Sequence, residues 1–198
     1  MSTIGIVVGS TRPGRRGRLV AEWIARAAEQ HRPDDEFEIV DLADYALPLL
    51  DEPLPAMSGR YDKDHTARWS EAVARFEGFV FVTPEYNHSI PGVLKNALDF
   101  LYREWGDKAA GIVSYGVHGG SRAAEHLRLV LAELRVATVR SQVLLSVFDE
   151  FKQADPADPA GPVLLTPGPR QDKALAALLD EVITWSEALR PVRDGVLA

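Results

Sequence analysis

Short apolar segments alternate with longer amphipathic stretches along the chain. Runs in which apolar side chains follow one another are typical of strands that are buried on both faces of a sheet. Five segments fit strands, at residues 3–8, 36–40, 78–82, 109–114 and within 136–147. Elsewhere apolar residues recur at the spacing of one helix face. This spacing predicts helices at residues 19–28, 67–76, 93–101, 121–135 and 172–189.

The order of these elements predicts the fold. Strands that alternate with helices form right-handed crossovers and a parallel sheet covered on both faces. Five strands in 198 residues fit the flavodoxin-like strand order 2-1-3-4-5 better than a six-stranded Rossmann domain. We therefore expect an α/β protein with a three-layer flavodoxin-like fold, built as a single domain over residues 1–198.

Two Pro-rich segments interrupt the alternation. Residues 42–59 are expected to form a loop, and residues 149–170 are expected to be irregular. The second segment contains five prolines: Pro156, Pro159, Pro162, Pro167 and Pro169. It either lies on the surface or covers a partner subunit, and the surface position is favoured because long loops are commonly solvated.

Composition excludes several classes of function. The net charge is −7, with 22 Lys and Arg against 29 Asp and Glu, so we expect no nucleic-acid binding through the overall surface. The absence of Cys excludes disulfides, thiolate metal sites and Cys nucleophiles. The five histidines lack the spacing of metal ligands, so no metal site is expected. No apolar run is long enough to span a bilayer and no signal peptide is recognisable, so we expect a cytoplasmic protein without membrane contact.

Candidate chemistry lies where the predicted strands end. In an open parallel sheet, ligands bind at the carboxyl ends of the strands, close to the point where the strand order reverses. For the order 2-1-3-4-5 that point lies between the first and third strands. The loops of interest are therefore residues 9–18, 83–92 and 114–121.

The first of these loops has the composition of an anion site. It contains three glycines, Ser10 and Thr11, and it lies between a strand and a helix, where backbone amides can point toward a phosphate. It also places four arginines within residues 12–18 of an acidic protein. These features favour a phosphate over a solvated basic loop, although the motif is neither a P-loop nor the G-x-G-x-x-G fingerprint.

The other two loops suit a planar ligand. Two prolines stiffen residues 83–92, and Asn87 tolerates a positive φ. Residues 83–92 either offer amides to a polar ring or form a well-built strand-to-helix turn, and both interpretations stay open. In the third loop, Tyr115 either stacks on an aromatic ligand or packs internally, and His118 either bonds the ligand or faces solvent, as most loop histidines do.

At these residues the chain resembles the NADPH-dependent FMN reductase family, which consists of flavodoxin-like flavoproteins and includes quinone, azo-dye and chromate reductases. The most specific motifs are TPEYN at residues 83–87 and IPGVLKNALD at residues 90–99. GSTR at residues 9–12, SYG at 114–116 and the glycine pair at 119–120 fall where the family has them. Many relatives have Ser and Asn where this chain has residues 15–17.

The resemblance implies one FMN in each subunit, bound by three sets of residues. Ser10, Arg12 and the amides around Arg16 and Gly17 would hold the phosphate. The ribityl chain and the isoalloxazine would be lined, largely through backbone, by Pro84, Glu85, Tyr86 and Asn87. The ring would be bordered in the third loop by Tyr115 and Gly116.

The resemblance also implies a reaction and an assembly. NADPH would pass a hydride to the flavin N5, and a quinone, free flavin or similar acceptor would then take its place in a ping-pong scheme that needs no catalytic side chain. A homodimer or homotetramer is expected. The helix that carries Lys95 and Asp99 either joins the subunit contact or bears a simple i,i+4 surface pair.

Two rival functions remain open. The chain could be an FMN-holding electron carrier that serves a protein partner and has no NAD(P)H activity of its own. It could also be a phosphate-binding hydrolase on the same fold. The Cys-based phosphatase is excluded because Cys is absent, and the sequence has no G-x-S-x-G elbow for acyl transfer.

Overall fold

The centre of the protein is a five-stranded parallel sheet. The structure is a computed structural model that describes residues 1–158 and 161–196. The strands, in chain order β1 to β5, are Thr3–Val8, Glu36–Asp41, Gly78–Pro84, Lys108–Gly116 and Val136–Ser146. They pair in the order β2-β1-β3-β4-β5, and all four pairings are parallel. The predicted strand order is confirmed.

The described ranges contain six α-helices, which flank the sheet. In chain order, α1 to α6 are Gly17–His31, Leu42–Tyr45, Asp64–Ala74, Gly92–Asp99, Ser121–Glu133 and Pro169–Arg193. The five predicted helices are present, with ends that differ by a few residues from the predicted ones. In residues 1–158 and 161–196, no helix is long and apolar enough to cross a membrane.

Helices cover both faces of the sheet, as the three-layer prediction requires. On one face, Ile24 of α1 and Val182 of α6 pack against Val80 and Val113 of the central strands. On the other face, aliphatic side chains of α4 and α5 and the indole of Trp69 in α3 pack against β3 and β4. Two apolar cores therefore fix the central strands between the helix layers. The carboxyl ends of these parallel strands lie at the same edge of the sheet.

The predicted loop at residues 42–59 contains a short helix. Asp41 ends β2, and its carboxylate accepts a hydrogen bond of 3.1 Å from the amide of Ala43, which caps α2. A 3-10 turn follows at Ala56–Ser58. A four-residue helix has too few apolar positions to show a helical period, which is why the sequence pattern did not predict it.

The prediction that residues 149–170 are irregular is wrong for two short stretches of this segment. Two short strands, β6 (Phe151–Gln153) and β7 (Val163–Leu165), pair antiparallel. Phe151 lies in the core that α1 and α6 form with the sheet. Pro156 and Pro162 flank the strands instead of interrupting the ladder, so the prolines are compatible with a hairpin. Pro159 lies outside the described residues.

Candidate functional site

The three loops predicted to bind a ligand lie side by side at the carboxyl edge of the sheet. The Gly9 amide donates to Val82 O at 2.9 Å, which joins the first loop to the end of β3. The Glu85 amide donates to Tyr115 O, also at 2.9 Å, which joins the second loop to the third. The strand order therefore brings the three loops together, as predicted.

The first two loops meet at a pair of hydroxyl groups. Ser10 is buried, and its Oγ lies 2.9 Å from the Tyr86 hydroxyl. The Arg12 amide donates to Ser10 Oγ at 3.4 Å, and the Arg12 guanidinium carbon lies 5.8 Å from the centre of the Tyr86 ring. Three predicted site residues, Ser10, Arg12 and Tyr86, are thus in direct contact.

The first loop leads into α1 through a tight turn. The Arg15 amide donates to Arg12 O at 3.0 Å, and Gly14 has φ 68°, a value that glycine adopts without strain. Arg16 is the N-cap of α1 and makes no side-chain capping bond. The first helical amides therefore lack the usual side-chain acceptor.

Close packing around position 17 explains why this residue is a glycine. A Cβ at this position would lie 3.1 Å from Val8 Cγ1 and 3.2 Å from the Tyr115 hydroxyl. Either contact would push the start of α1 away from the end of the sheet. Gly17 therefore lets the helix N-terminus approach the third loop closely.

The four arginines of the first loop are not equivalent. Arg15 forms an ion pair of 2.7 Å with the buried carboxylate of Asp41, and Arg18 pairs with Glu22 at 3.1 Å. Within the described part of the chain, neither Arg12 nor Arg16 has an acidic partner. Two of the four cations are therefore already neutralised, and the other two flank the uncapped start of α1.

Glu85 fastens the second loop to α5. Its side chain is only 7% exposed, and it forms an ion pair with the Arg122 guanidinium and accepts a 3.1 Å hydrogen bond from the Arg122 amide. Burial acts to raise the pKa of Glu85, but the bonds from Arg122 outweigh it and hold the pKa below its ordinary value. The amide and carboxylate of Glu85 are thus both used within the protein.

The second loop turns sharply at Asn87. The Tyr86 amide donates to Ser89 O at 2.9 Å and the Ser89 amide to Tyr86 O at 3.1 Å, which closes a tight turn. Asn87 and His88 have φ 48° and 74°. The hydrogen bonds found among the described residues leave the amides of these two residues without an acceptor, so the turn has free donors at its tip.

The third loop contains a buried, unsatisfied hydroxyl. Tyr115 is 5% exposed and packs beside Phe151, with ring centres 5.7 Å apart. Its hydroxyl forms no hydrogen bond of good geometry within the described part of the chain. Burial raises the pKa of Tyr115 above its ordinary value. The side chain is packed internally instead of standing free to stack on a ligand.

The remaining residues of the third loop pack tightly or face solvent. A Cβ on Gly116 would lie 3.3 Å from Glu85 Cβ, so Gly116 lets the two loops touch. His118 is exposed and lines a cavity of about 440 Å³ together with Gln142 and Arg170. In the described ranges, no group of three or more His, Asp or Glu could hold a metal ion.

Lys95 and Asp99 form the i,i+4 pair on the surface of α4. Lys95 Nζ lies 2.7 Å from Asp99 Oδ2, and both side chains are exposed. An exposed pair of this kind contributes only a few tenths of a kcal/mol. The role of α4 in a subunit contact stays a prediction.

The profile of the NADPH-dependent FMN reductase family matches residues 2–150. The chain belongs to this family. It is 42% identical over 151 residues to an NAD(P)H-dependent FMN reductase of Nectria sp, covering 71% of this chain and 74% of the relative. It is 36% identical over 159 residues to the 2-hydroxy-1,4-benzoquinone reductase of Burkholderia sp, covering 75% of this chain and 80% of the relative. The family membership makes the protein an oxidoreductase that uses FMN and NAD(P)H.

Solved structures agree on the fold. FerB of Paracoccus denitrificans, a flavoenzyme NAD(P)H:(acceptor) oxidoreductase, superposes with a TM-score of 0.72 at 22% identity, over 95% of this chain and 98% of that one. An oxidoreductase of Corynebacterium diphtheriae superposes with a TM-score of 0.70 at 17% identity, over 95% of this chain and 98% of that one. Identities this low support the flavodoxin-like fold alone.

The residues at the strand ends fit FMN. An uncapped helix N-terminus with two cations that lack acidic partners suits a phosphate. The free amides at Asn87 and His88, both exposed, offer hydrogen-bond donors to the rest of the cofactor. Sequence reasoning missed Asp41 and Arg122, which hold the loops in place, because their partners Arg15 and Glu85 are distant in the chain.

Proposed function

We propose that the protein transfers electrons from NAD(P)H to a quinone or a similar small acceptor, with FMN held by the loops after β1, β3 and β4. The observation that carries this proposal is the start of α1, which has no side-chain cap and follows the loop that contains the buried Ser10 and the two arginines without acidic partners in the described ranges, Arg12 and Arg16. Helix amides together with guanidinium groups are a favourable environment for a phosphate monoester.

The phosphate would be held by the first loop. The Ser10 hydroxyl, the amides of Arg16 and Gly17 and the Arg12 guanidinium would donate to its oxygens. The Tyr86 hydroxyl at 2.9 Å would orient Ser10 Oγ. Hydrogen bonds between charged groups are shorter and stronger than neutral ones, so this end of the cofactor would supply much of the affinity.

The ribityl chain and ring would lie along the second and third loops, against Pro84, Tyr86, Asn87 and Gly116. FMN, when bound, supplies the redox chemistry by accepting a hydride from NAD(P)H and returning electrons to the acceptor. The free amides of the Asn87 turn would stabilise negative charge, since donors held in place cost no reorganisation. Glu85 would act indirectly, by fastening this turn to α5.

We propose that NAD(P)H and the acceptor use the same open face in turn, in a ping-pong scheme without a catalytic side chain. The benzoquinone reductase activity named for the Burkholderia relative supports a quinone as acceptor. Steady-state rates of the FMN-loaded protein with NADPH or NADH and varied benzoquinone would give parallel double-reciprocal lines. Intersecting lines would contradict the scheme. Bound FMN with no NAD(P)H oxidation would indicate an electron carrier instead.

We also propose that the chain assembles as a homodimer or homotetramer. Support comes from exposed apolar side chains at Leu49, Leu50 and Met57, in a loop that is held against α4. Asn96 donates to Pro48 O at 2.7 Å and accepts from the Leu50 amide at 3.0 Å. Apolar side chains on a fixed surface loop are typical of subunit contacts. Light scattering that gives a monomer mass would refute the proposal.

A further inference from the structure

The hairpin β6–β7 reaches the first loop through one aromatic ring. Phe151 is 5% exposed and lies between two predicted site residues. The guanidinium carbon of Arg16 is 5.0 Å from the centre of the Phe151 ring, and the Tyr115 ring centre is 5.7 Å away. Phe151 is thus in contact with the first and the third loop at once.

The contact with Phe151 holds Arg16 without neutralising it. A guanidinium over an aromatic face is attracted by the ring quadrupole and keeps its charge and its N–H donors. The Arg16 guanidinium also donates a long hydrogen bond of 3.4 Å to Val147 O. Arg15, by contrast, is paired with the buried carboxylate of Asp41. Arg16 therefore stays available to an anion at the start of α1.

The ring itself is held firmly by the hairpin. The Ala154 amide donates to Pro162 O at 2.9 Å, and the Thr166 amide donates to Glu150 O at 2.8 Å. Phe151 directly follows the part of the chain that matches the family profile, residues 2–150.

We infer that Phe151 is a positioning residue for the FMN phosphate, because it holds the Arg16 guanidinium beside the uncapped start of α1. The inference rests on the proposed function. It assigns the hairpin β6–β7 a part in cofactor binding, through Phe151, which does not itself touch the reacting atoms.

The test compares two flavins that differ in the phosphate. FMN and riboflavin are titrated into the apoprotein and followed by flavin fluorescence. Phe151→Leu keeps an apolar side chain and removes the aromatic face, so FMN affinity should fall about 3- to 10-fold while riboflavin affinity stays within about twofold. Phe151→Tyr keeps the aromatic face and should retain wild-type FMN affinity. Phe148→Leu, at a phenylalanine that is 73% exposed, is the matched control and should change neither.

Arg16→Met tests the other partner of the contact: it should weaken FMN and spare riboflavin, and Phe151→Leu added to it should cause no further loss of FMN affinity. If Phe151→Leu does not fold, Phe151→Met, which also keeps an apolar side chain and removes the aromatic face, replaces it in the single and the double variant. Equal losses for FMN and riboflavin, or no loss for either variant, would overturn the inference while leaving the proposed function intact. A wild-type protein that binds no FMN would overturn both.

Discussion

At the scale of single residues, the arginines of the first loop divide by their partners. Arg15 and Arg18 face carboxylates, whereas Arg12 and Arg16 lie over the aromatic rings of Tyr86 and Phe151. The sequence displays the cluster of cations but not this division, because Asp41 is 26 positions from Arg15. Arg12 and Arg16 are consequently the arginines whose loss should most affect a bound phosphate.

Replacing Arg12 by Met should weaken FMN binding. A hydrogen bond to a charged group contributes about 1.5–3 kcal/mol, which corresponds to roughly a 10- to 150-fold rise in Kd. Flavin fluorescence titration measures this directly. Arg18→Met is the matched control, since Arg18 is an arginine of the same loop that pairs with Glu22. If both variants bind FMN as the wild type does, Arg12 has no phosphate contact.

Replacing Glu85 by Gln should lower the free energy of unfolding. The substitution removes the ion pair with Arg122 and weakens the bond from the Arg122 amide, at a cost of about 1–3 kcal/mol. Urea unfolding of the two apoproteins at pH 7 measures the difference. Exposed Glu125→Gln serves as the control and should have little effect.

The same pair predicts a pH dependence. Since the folded protein holds the pKa of Glu85 below its ordinary value of 4.5, the unfolded chain binds a proton first as the pH falls. The stability from Glu85 is therefore present above about pH 4.5 and is lost as the pH drops through the folded-state pKa. The difference between wild type and Glu85→Gln should shrink below pH 4.5. A constant difference down to pH 3 would contradict this account.

At the scale of elements, the central strands β1, β3 and β4 were predictable because they are buried on both faces and their apolar residues are nearly continuous. The hairpin β6–β7 was not, since its strands have three residues each and lie among prolines. The hairpin is stabilised because Phe151 packs into a core formed by segments that are distant in the sequence. Tertiary burial of this kind leaves no periodic signal in a short segment.

The end of α3 rests on a buried lysine. Lys108, the first residue of β4, donates to Val73 O at 3.0 Å and to Ala74 O at 3.3 Å, the last two carbonyls of α3. Burial lowers the pKa of Lys108 to about 8, with a further lowering by Arg193. A cation at a helix C-terminus is favourable, but here it is also desolvated.

Lys108 should make stability rise with pH in the alkaline range. The folded-state pKa of about 8 is below the ordinary 10.5, so between these values the unfolded chain binds more protons. Relative to Lys108→Met, the wild type should gain up to about 3 kcal/mol between pH 8 and 10.5. Urea unfolding across this range measures the gain.

A second lysine provides the comparison for that experiment. Lys173 on α6 is exposed, and Lys173→Met should leave the pH dependence as it is in the wild type. FMN affinity should be unchanged in Lys108→Met because Lys108 lies at the opposite end of β4 from Tyr115 and Gly116. A pH profile of Lys108→Met that parallels the wild type would show that Lys108 titrates alike in both states.

At the scale of the whole molecule, the two ends of the sheet differ in how completely their polar groups are paired. At the amino end, Glu77 accepts from Arg190 at 2.9 Å and from Arg193 at 3.0 Å, which ties the end of α6 to the sheet. The carboxyl end carries the three loops, whose polar groups are only partly satisfied.

The general position of the site followed from the sequence, because the strand order alone brings three loops together. The details that depend on long-range pairing did not follow. The sequence left open whether Tyr115 stacks on a ligand, and only the structure shows it packed against Phe151. The link from Glu85 to Arg122 spans 37 positions, and no local pattern marks it.

The central claim is that FMN lies across the loops after β1, β3 and β4 with its phosphate at the start of α1. A crystal structure of the FMN complex tests this most directly. The account predicts phosphate oxygens within hydrogen-bonding distance of Ser10 Oγ, the Gly17 amide and the Arg12 guanidinium. Phosphate density elsewhere, for example in the cavity beside His118 and Arg170, would contradict it.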